Sequence, residues 1–296
     1  MSGCFIRLNI FLLIILAFCA VAYTQDYNKK LEKATEYFNT GSYKMAEKLF
    51  TELVNETKGK KGIENLIDLY ILKGKYAEAL EIAKKMSKIS NDSYAANTYL
   101  GEIFMLTGEY EKAKKAFFAA YIKKPDNLRC RLNLGLYYFT VGDKKKYIRY
   151  FSRIFDEYDP YENYSAKDLT LIAKACRIYA MKSNEVDRSD TLKTIVQEIL
   201  PDAIKKNKYF FAAYYEMADI FLSAFNTVDA QDIIDEALAL NPQHPEILYC
   251  KALLQTHTRR LNQSAMTTIQ HALTINPNYV QCLDTLAALK LADEKY

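Results

Sequence analysis

Tryptophan is absent from this chain of 296 residues, and glycine, proline and histidine are scarce, with 9, 6 and 3 residues. So few glycines and prolines exclude a fold dense in turns, because these two residues supply most tight reversals of the chain. Tyrosine and phenylalanine, with 24 and 15 residues, provide large side chains for a core, and half of the chain is apolar. The composition therefore predicts a mostly helical protein.

Sequence patterns of catalysis are missing as well. The chain has no His-Glu-x-x-His zinc motif, no glycine-rich phosphate loop and no Gly-x-Ser-x-Gly nucleophile motif. Its histidines, His244, His257 and His271, have no candidate metal ligand three or four residues away. We therefore expect a protein that is not an enzyme, with no cofactor, no metal site and no small-molecule substrate.

Neither sign of charge dominates the chain. Lysine and arginine number 40 and aspartate and glutamate 36, and the two kinds are interspersed. Nucleic-acid binding usually requires a concentrated basic patch or stripe. The pattern instead indicates solvated helix faces and predicts no nucleic-acid partner.

The amino terminus has the pattern of a targeting segment. Arg7 precedes the apolar run from Ile10 to Phe18, and the small residues Ala20 and Ala22 then stand where a signal peptidase reads the chain. The apolar run is short for a bilayer, which needs about 20 residues. We therefore predict a signal peptide over residues 1–22 and export to the periplasm or the exterior. Retention as an uncleaved membrane anchor is the less favoured alternative.

Four cysteines lie beyond this segment, namely Cys130, Cys176, Cys250 and Cys282. Export would permit disulfides, but the four are far apart and form no Cys-x-x-Cys pair. Each falls in a predicted helix at a packing or semi-buried position. We therefore expect free thiols that act as small hydrophobic side chains.

An internal repeat organises most of the chain. Gly41, Gly74, Gly108 and Gly142 recur at spacings of 33, 34 and 34 residues, and the first three open the pattern Gly-x-Tyr-x-x-Ala. Glycine supplies the left-handed backbone at a helix end, and a small residue lets two helices approach closely. The pattern predicts pairs of antiparallel helices joined by short turns.

The spacing resembles the tetratricopeptide repeat, whose 34-residue unit is a helical pair. The third unit fits well, with Leu100-Gly101, Phe104, Gly108, Tyr110, Ala113, Phe117, Ala120 and Pro125. Two further matches end in Asn241-Pro242 and Asn276-Pro277. The resemblance implies an all-α fold, a right-handed α-solenoid of stacked antiparallel helix pairs.

The register divides the chain into segments. Four repeats are expected over residues 27–160, and two repeats plus a half repeat over 209–296. Between them, residues 161–208 break the register and predict a longer, atypical helical hairpin. Its first helix is expected from Ala166 to Met181, and its second begins with Ser189 or Asp190 as the cap. Pro201 should kink or restart the second helix.

The resemblance also implies where a partner would bind. In the family, the first helix of each repeat lines a concave groove, so we predict a protein-interaction scaffold that holds a partner peptide or protein segment there. Carried over by register, the groove residues are Asn65, Asp68, Thr98, Glu102, Met105, Arg129, Leu132, Leu136, Phe139, Tyr215, Asp219 and Leu222. Met105, Leu132, Leu136 and Phe139 would form an apolar floor with Glu102 and Arg129 at its edge.

Two further expectations concern the carboxyl-terminal part. Residues around the fifth unit are similar to the repeat region before the zinc peptidase domain of some large exported bacterial proteins, so the chain could be the recognition region of a metallopeptidase whose catalytic domain lies elsewhere. The last helix, with Leu283, Leu286 and Ala287, has no predicted partner helix. It offers an apolar surface for self-association.

Overall fold

The computed structural model describes residues 25–89, 93–257 and 262–293, and these are helical apart from short turns. The predicted signal peptide, residues 1–22, lies outside them. The described residues contain no strand. The helices are α1 (25–39), α2 (Tyr43–Glu56), α3 (Ile63–Leu72), α4 (Tyr76–Ile89), α5 (Tyr94–Leu106), α6 (Tyr110–Lys123), α7 (Leu128–Thr140), α8 (Lys144–Asp156), α9 (Ala166–Lys182), α10 (Arg188–Thr194), α11 (Leu200–Lys206), α12 (Phe211–Ser223), α13 (Thr227–Leu240), α14 (Pro245–His257), α15 (Asn262–Ile275) and α16 (Val280–Asp293).

The chain divides into two compact units, the first ending at Leu69 and the second beginning at Tyr70. In the first unit, contacts at both ends show that α1 and α2 run antiparallel. At one end, Lys30 Nζ lies 2.8 Å from Glu56 Oε1. At the other end, the rings of Phe38 and Phe50 meet edge to face with their centroids 6.4 Å apart. The prediction of an all-α solenoid built from helical pairs is confirmed.

The repeated glycines adopt the backbone that the repeat requires. Gly41, Gly74, Gly108 and Gly142 have φ of 83°, 68°, 74° and 79°. A left-handed φ lets the amide that follows bond back to the preceding helix, as where Lys75 N donates to Tyr70 O at 2.8 Å. Each glycine therefore ends one helix and turns the chain into the next.

Close helix crossings in the second unit depend on two other glycines, which lie inside helices. A Cβ built on Gly101 would lie 2.4 Å from the Phe117 ring, and one built on Gly135 would lie 2.4 Å from the Phe151 ring. Both phenylalanines are buried. Because glycine has no side chain, it leaves a space that the phenylalanine ring of the second helix fills in each pair.

The atypical hairpin has an ordered boundary at each end. Ser165 caps α9 by accepting from Asp168 N at 3.1 Å, and Asp187 caps α10 in place of the expected Ser189 or Asp190. The chain then makes a π-helical turn over Ile195–Ile199, and α11 begins with Pro201 in its first turn. Because proline has no amide hydrogen to donate, the restart expected at Pro201 takes the form of this wider turn.

The hydrophobic core runs through this hairpin without a break. Phe151 of α8, Ile172 of α9 and Leu200 of α11 belong to one buried cluster that starts in α6 and reaches α12. The hairpin departs from the repeat register in sequence, but its helices bury the same kind of apolar stripe. It therefore joins the repeats on either side within the second unit.

A contact inside the second unit joins its first turn to its last closing loop. Asn278 Nδ2 donates to Gly74 O at 2.9 Å, and Tyr76 Oη lies 3.5 Å from Asn278 O. A Cβ on Gly74 would lie 2.1 Å from Asn276 Oδ1, so the two segments touch closely. These residues are about two hundred positions apart in the sequence.

Candidate functional site

The first helices of successive pairs in the second unit contact one another in series. α5 contacts α7, α7 contacts α9, α9 contacts α12, and α12 contacts α14. Charged side chains on these helices define a surface that we call the charged face. Its members are Glu102, Arg129, Lys174, Arg177, Glu216, Asp219 and Glu246.

One cluster of the charged face links α5 and α7. Arg129 holds both oxygens of Glu102, with Nε at 2.8 Å and Nη2 at 2.6 Å, and Asn133 Nδ2 donates to the same carboxylate at 2.7 Å. The guanidinium also lies 4.3 Å from the centre of the Tyr99 ring. Burial alone would raise the pKa of Glu102, but the charge and hydrogen bonds of Arg129 outweigh it and lower that pKa. Glu102 is therefore a carboxylate whose orientation is fixed.

A second cluster links α9 and α12. Glu216 accepts from Lys174 at 3.1 Å and from Arg177 Nη2 at 2.8 Å, and Arg177 Nη1 donates to Asp219 at 2.7 Å. Lys174 and Asp219 keep 34% and 28% of their side chains exposed, whereas Glu216 keeps 3%. Glu216 thus anchors the two cations from beneath, and Lys174 and Asp219 meet solvent.

The two acids of this cluster differ in their pKa. Burial would raise the pKa of Glu216, but Lys174 and Arg177 more than compensate, so that its pKa is lowered. For Asp219, burial and the neighbouring charge of Glu216 outweigh the cations Arg177 and Lys174, and its pKa is raised. Arg177 donates to both carboxylates, so neither acid has an arginine that binds both of its oxygens.

Glu246 of α14 completes the charged face. It makes no hydrogen bond or ion pair with the rest of the described chain. Burial raises its pKa; the charge of Lys174 opposes this rise in part, and the charge of Glu216 adds to it. Tyr215 of α12 and Tyr279, which directly precedes α16, lie near its charge. The rings of Tyr249 and Tyr279 meet edge to face at 5.5 Å. Glu246 is therefore a recessed acid with no cation in direct contact.

The ten predicted groove residues of the second unit fall into three groups. Glu102 with Arg129, and Asp219 beside the half-buried Tyr215, belong to or border the charged face. Met105 and Leu136 are half-buried against the core, and Phe139 is 38% exposed and packs against the ring of Tyr147. The buried group is Thr98, Leu132 and Leu222.

The buried group has a packing explanation. Thr98 bonds to Tyr94 O at 2.8 Å, and Leu132 and Leu222 belong to hydrophobic clusters, so these three expose too little surface to meet a partner. Leu132, which the register placed in the apolar floor of the groove, is therefore part of the hydrophobic core. Asn65 and Asp68 lie in the first unit, where Asn65 is half-buried and Asp68 is exposed.

Sequence reasoning missed Lys174, Arg177, Glu216 and Glu246. Lys174 and Arg177 lie on α9, which is outside the repeat register, so no family position pointed to them. Glu216 and Asp219 are three residues apart on α12, the spacing at which two side chains share one helix face. Lys174 and Arg177 are also three residues apart on α9. These two matching spacings were the sequence signal for an ion-pair cluster.

The remaining candidate groups are consistent with packing. Cys130, Cys176, Cys250 and Cys282 are buried and unpaired, as predicted. Burial raises the pKa of Cys176 and of Cys282 to about 12, so these thiols stay protonated. In the part of the chain that the structure describes, no three His, Cys, Asp or Glu side chains are grouped as a metal site would need.

On α16, Val280, Leu283 and Leu291 are exposed by 55%, 44% and 61%. Self-association through this helix stays a prediction. Among the described helices, none combines the length and the apolar character that crossing a bilayer requires.

A comparison with protein families matches residues 70–132 to the tetratricopeptide repeat. Over these residues, the chain carries tetratricopeptide repeats. The matched segment begins in α3 and ends within α7, so it includes Glu102 and Arg129 of the charged face.

Curated relatives extend the match along the chain. A TPR repeat-containing protein of Methanocaldococcus jannaschii is 23% identical over 251 residues, which is 79% of this chain and 41% of that protein. The human protein O-mannosyl-transferase TMTC3 is 19% identical over 207 residues, 69% of this chain and 22% of that protein. The chain thus spans less than half the length of each of these relatives.

Solved structures share the fold. A thermophilic TPR protein from Thermus thermophilus superposes with a TM-score of 0.52 at 17% identity, over 67% of this chain and 100% of that one. The APC/C hetero-tetramer Cut9–Hcn1 gives a TM-score of 0.50 at 18% identity, over 88% of this chain and 55% of that one. Stacked repeats of this kind offer extended surfaces for other proteins, so the fold supports a protein-interaction scaffold.

Proposed function

We propose that the protein is a non-catalytic scaffold, exported by its amino-terminal segment, that binds a protein or peptide segment on the charged face. The observation that carries this proposal is a row of two oriented charge clusters, one pairing α5 with α7 and the other pairing α9 with α12, followed by Glu246 on α14. Interfaces use charge complementarity for specificity and orientation. A rigid row of this kind is preorganised, so a partner would not have to order it.

The partner segment that this face fits carries at least one basic side chain. Glu246 has no cation within ion-pair distance among the described residues, and Asp219 shares Arg177 with Glu216. A lysine or arginine between Asp219 and Glu246 would supply the missing positive charge. Tyr215 and Tyr249 stand beside these acids and would cover the aliphatic stem of that side chain.

Selection from a random peptide library displayed on phage tests the proposal. The full chain is the bait, and the selected peptides are then measured by fluorescence polarisation against Glu246→Gln and Asp219→Asn. We expect peptides with a basic residue, whose affinity falls about tenfold in each variant, since a desolvated charge pair contributes on the order of 1–2 kcal/mol.

Glu111→Gln is the matched control, because Glu111 is an exposed acid on α6, the second helix of its pair. It removes the same charge away from the charged face and should leave affinity unchanged. Selected peptides that bind all three variants as tightly as the unmodified chain would contradict binding at this face.

A second candidate keeps the same face but assigns it to a larger polypeptide, such as an exported metallopeptidase. It is motivated by the length of the curated relatives, of which this chain spans 22% and 41%. The gene sequence beyond the codon for Tyr296 tests it. An open frame that reaches a His-Glu-x-x-His segment supports the recognition role, and an immediate stop codon rejects it.

A further inference from the structure

A pocket of about 320 Å³ lies between α6, α7 and α8, and the charged face does not include it. Arg131 of α7 lines the pocket, two residues after Arg129 of the charged face. Two residues rotate the direction of a side chain by about 200° around a helix. The two arginines therefore project from opposite sides of α7, and the pocket is a separate surface.

Four basic side chains line this pocket: Arg131, Lys146, Arg149 and Arg153. Glu157 alone pairs with both Arg131 and Arg153, and Lys146 pairs with Asp143 at 2.8 Å. Arg149 has no acidic partner within the described part of the chain. Four cations and two paired acids leave two positive charges in excess. Asp126 lies 3.8 Å from Arg153, but its side chain is 90% exposed, so solvent screens its charge.

Arg131 is the structural feature that distinguishes this pocket from a basic surface. The residue is only 5% exposed, and its Nε has no hydrogen-bond partner. Its other nitrogens are engaged, Nη1 by Glu157 and Nη2 by the carbonyl oxygen of Asp126 at 3.4 Å. A buried donor left without an acceptor costs free energy that a ligand would recover.

Three tyrosines form the walls. The rings of Tyr138 and Tyr150 are stacked with centroids 5.9 Å apart, and Tyr121 meets Tyr150 edge to face at 6.1 Å. Lys146 Nζ lies 4.7 Å from the centre of the Tyr138 ring. Burial raises the pKa of Tyr150, so its hydroxyl stays protonated and can donate. The pocket thus combines cationic donors with a flat aromatic surface.

We propose that this pocket binds a small phosphate or sulfate ester, with the tetrahedral oxyanion held by Arg131, Lys146 and Arg149. An oxyanion of this shape accepts hydrogen bonds from several directions, as these donors require, and its charge matches the local excess. The organic part of the ester lies against Tyr138 and Tyr150. The volume is at the lower end of small-molecule sites, which span roughly 300–1,000 Å³.

Isothermal titration calorimetry with phenyl phosphate, phenyl sulfate and phenylacetate tests this proposal on the full chain. We expect saturable binding of the phosphate ester, the sulfate ester or both, and at least tenfold weaker binding of the carboxylate. Binding of one ester alone identifies the oxyanion. No saturable binding of either ester, or a carboxylate that binds as tightly, overturns the proposal.

Arg149→Gln is the diagnostic variant, because Arg149 is exposed and holds no other residue in place. We expect affinity for the ester to fall at least tenfold and the ester no longer to raise the melting temperature. Lys144→Gln removes the same charge from an exposed site on the same helix, about 140° from Arg149, and should keep affinity within twofold. Equal weakening by both variants would indicate diffuse attraction and overturn the site.

Discussion

At the scale of single residues, buried charge is concentrated in a few side chains of the second unit. Glu216 and Arg131 are 2% and 5% exposed. Such groups contribute little net stability over apolar packing, but removal of one partner leaves the other charge uncompensated. They therefore set the orientation of their helices more than the total stability.

Replacement of Glu216 by glutamine should destabilise the fold. Lys174 and Arg177 would lose the carboxylate that neutralises both, and we expect the free energy of unfolding to fall by about 2–3 kcal/mol, below the full cost of a buried pair because Lys174 reaches solvent. Urea unfolding at neutral pH measures this loss. Asp219→Asn removes a more exposed acid from the same cluster and should cost less. Equal effects of the two changes would contradict the anchoring role of Glu216.

His244 predicts a pH dependence of stability. It is stacked on Phe211 at 4.5 Å, and burial lowers its pKa from 6.5 to about 3. Below pH 6.5 the unfolded chain binds a proton here that the folded chain does not, so stability is lost as pH falls, by about 1.4 kcal/mol per pH unit until the folded pKa is reached.

The free energy of unfolding should therefore differ less between pH 7 and pH 5 in His244→Phe than in the unmodified chain. The comparison isolates this histidine, because the acids with raised or lowered pKa values, such as Asp219 and Glu216, are present in both proteins. His257→Gln changes an exposed histidine and should keep the original slope. An unchanged slope in His244→Phe would exclude His244 as its source.

At the scale of elements, helix pairing in the second unit depends on a ring that fills the place of a missing side chain. Gly135 in α7 and Phe151 in α8 form such a pair, and Gly101 and Phe117 form another. Alanine is the better helix former by about 1 kcal/mol. Retention of glycine inside a helix is thus explained by packing and not by propensity.

Gly135→Ala should destabilise the protein despite its gain in helix propensity. The new methyl group would lie 2.4 Å from a ring carbon of Phe151, which forces the helices apart at a cost of about 1–3 kcal/mol. Calorimetric melting measures the change. The double variant with Phe151→Leu should lose less than the sum of the single changes, because leucine has no ring edge at that point. Strict additivity would reject the contact.

At the scale of the whole second unit, contact between Gly74 and the segment around Asn278 joins repeats that are distant in the sequence. Nearest-neighbour packing alone makes a repeat array an approximate sum of independent steps. A contact across about two hundred residues adds coupling between its ends. Local stability at the two segments should then change together.

Gly74→Ala tests this coupling. The methyl group would clash with Asn276, so we expect faster hydrogen exchange at residues 73–76 and also at 276–279. Gly108→Ala is a close control, since Gly108 has a φ of 74° against 68° at Gly74 and no atom within 4 Å of its added Cβ. If hydrogen exchange becomes faster only at the mutated turn in both variants, the contact does not couple the stability of the two segments.

Sequence alone determined the helices, their turns and the class of fold. Regular apolar spacing and the glycines at positions 41, 74, 108 and 142 are local signals, because helix geometry and a left-handed turn depend on residues close in the chain. The same signals indicated the thiols as packing groups. The domain boundaries and the signal peptide remain predictions.

Only the tertiary structure decided which charges meet. Lys174 and Arg177 lie on a helix outside the repeat register, and their partners Glu216 and Asp219 come from the next pair, about forty residues away. The rotation of each helix against its neighbours buried Thr98, Leu132 and Leu222, which register alone had placed in the groove. Pairing across helices depends on the crossing of rigid elements, which side-chain volumes over the whole interface fix and a local pattern does not.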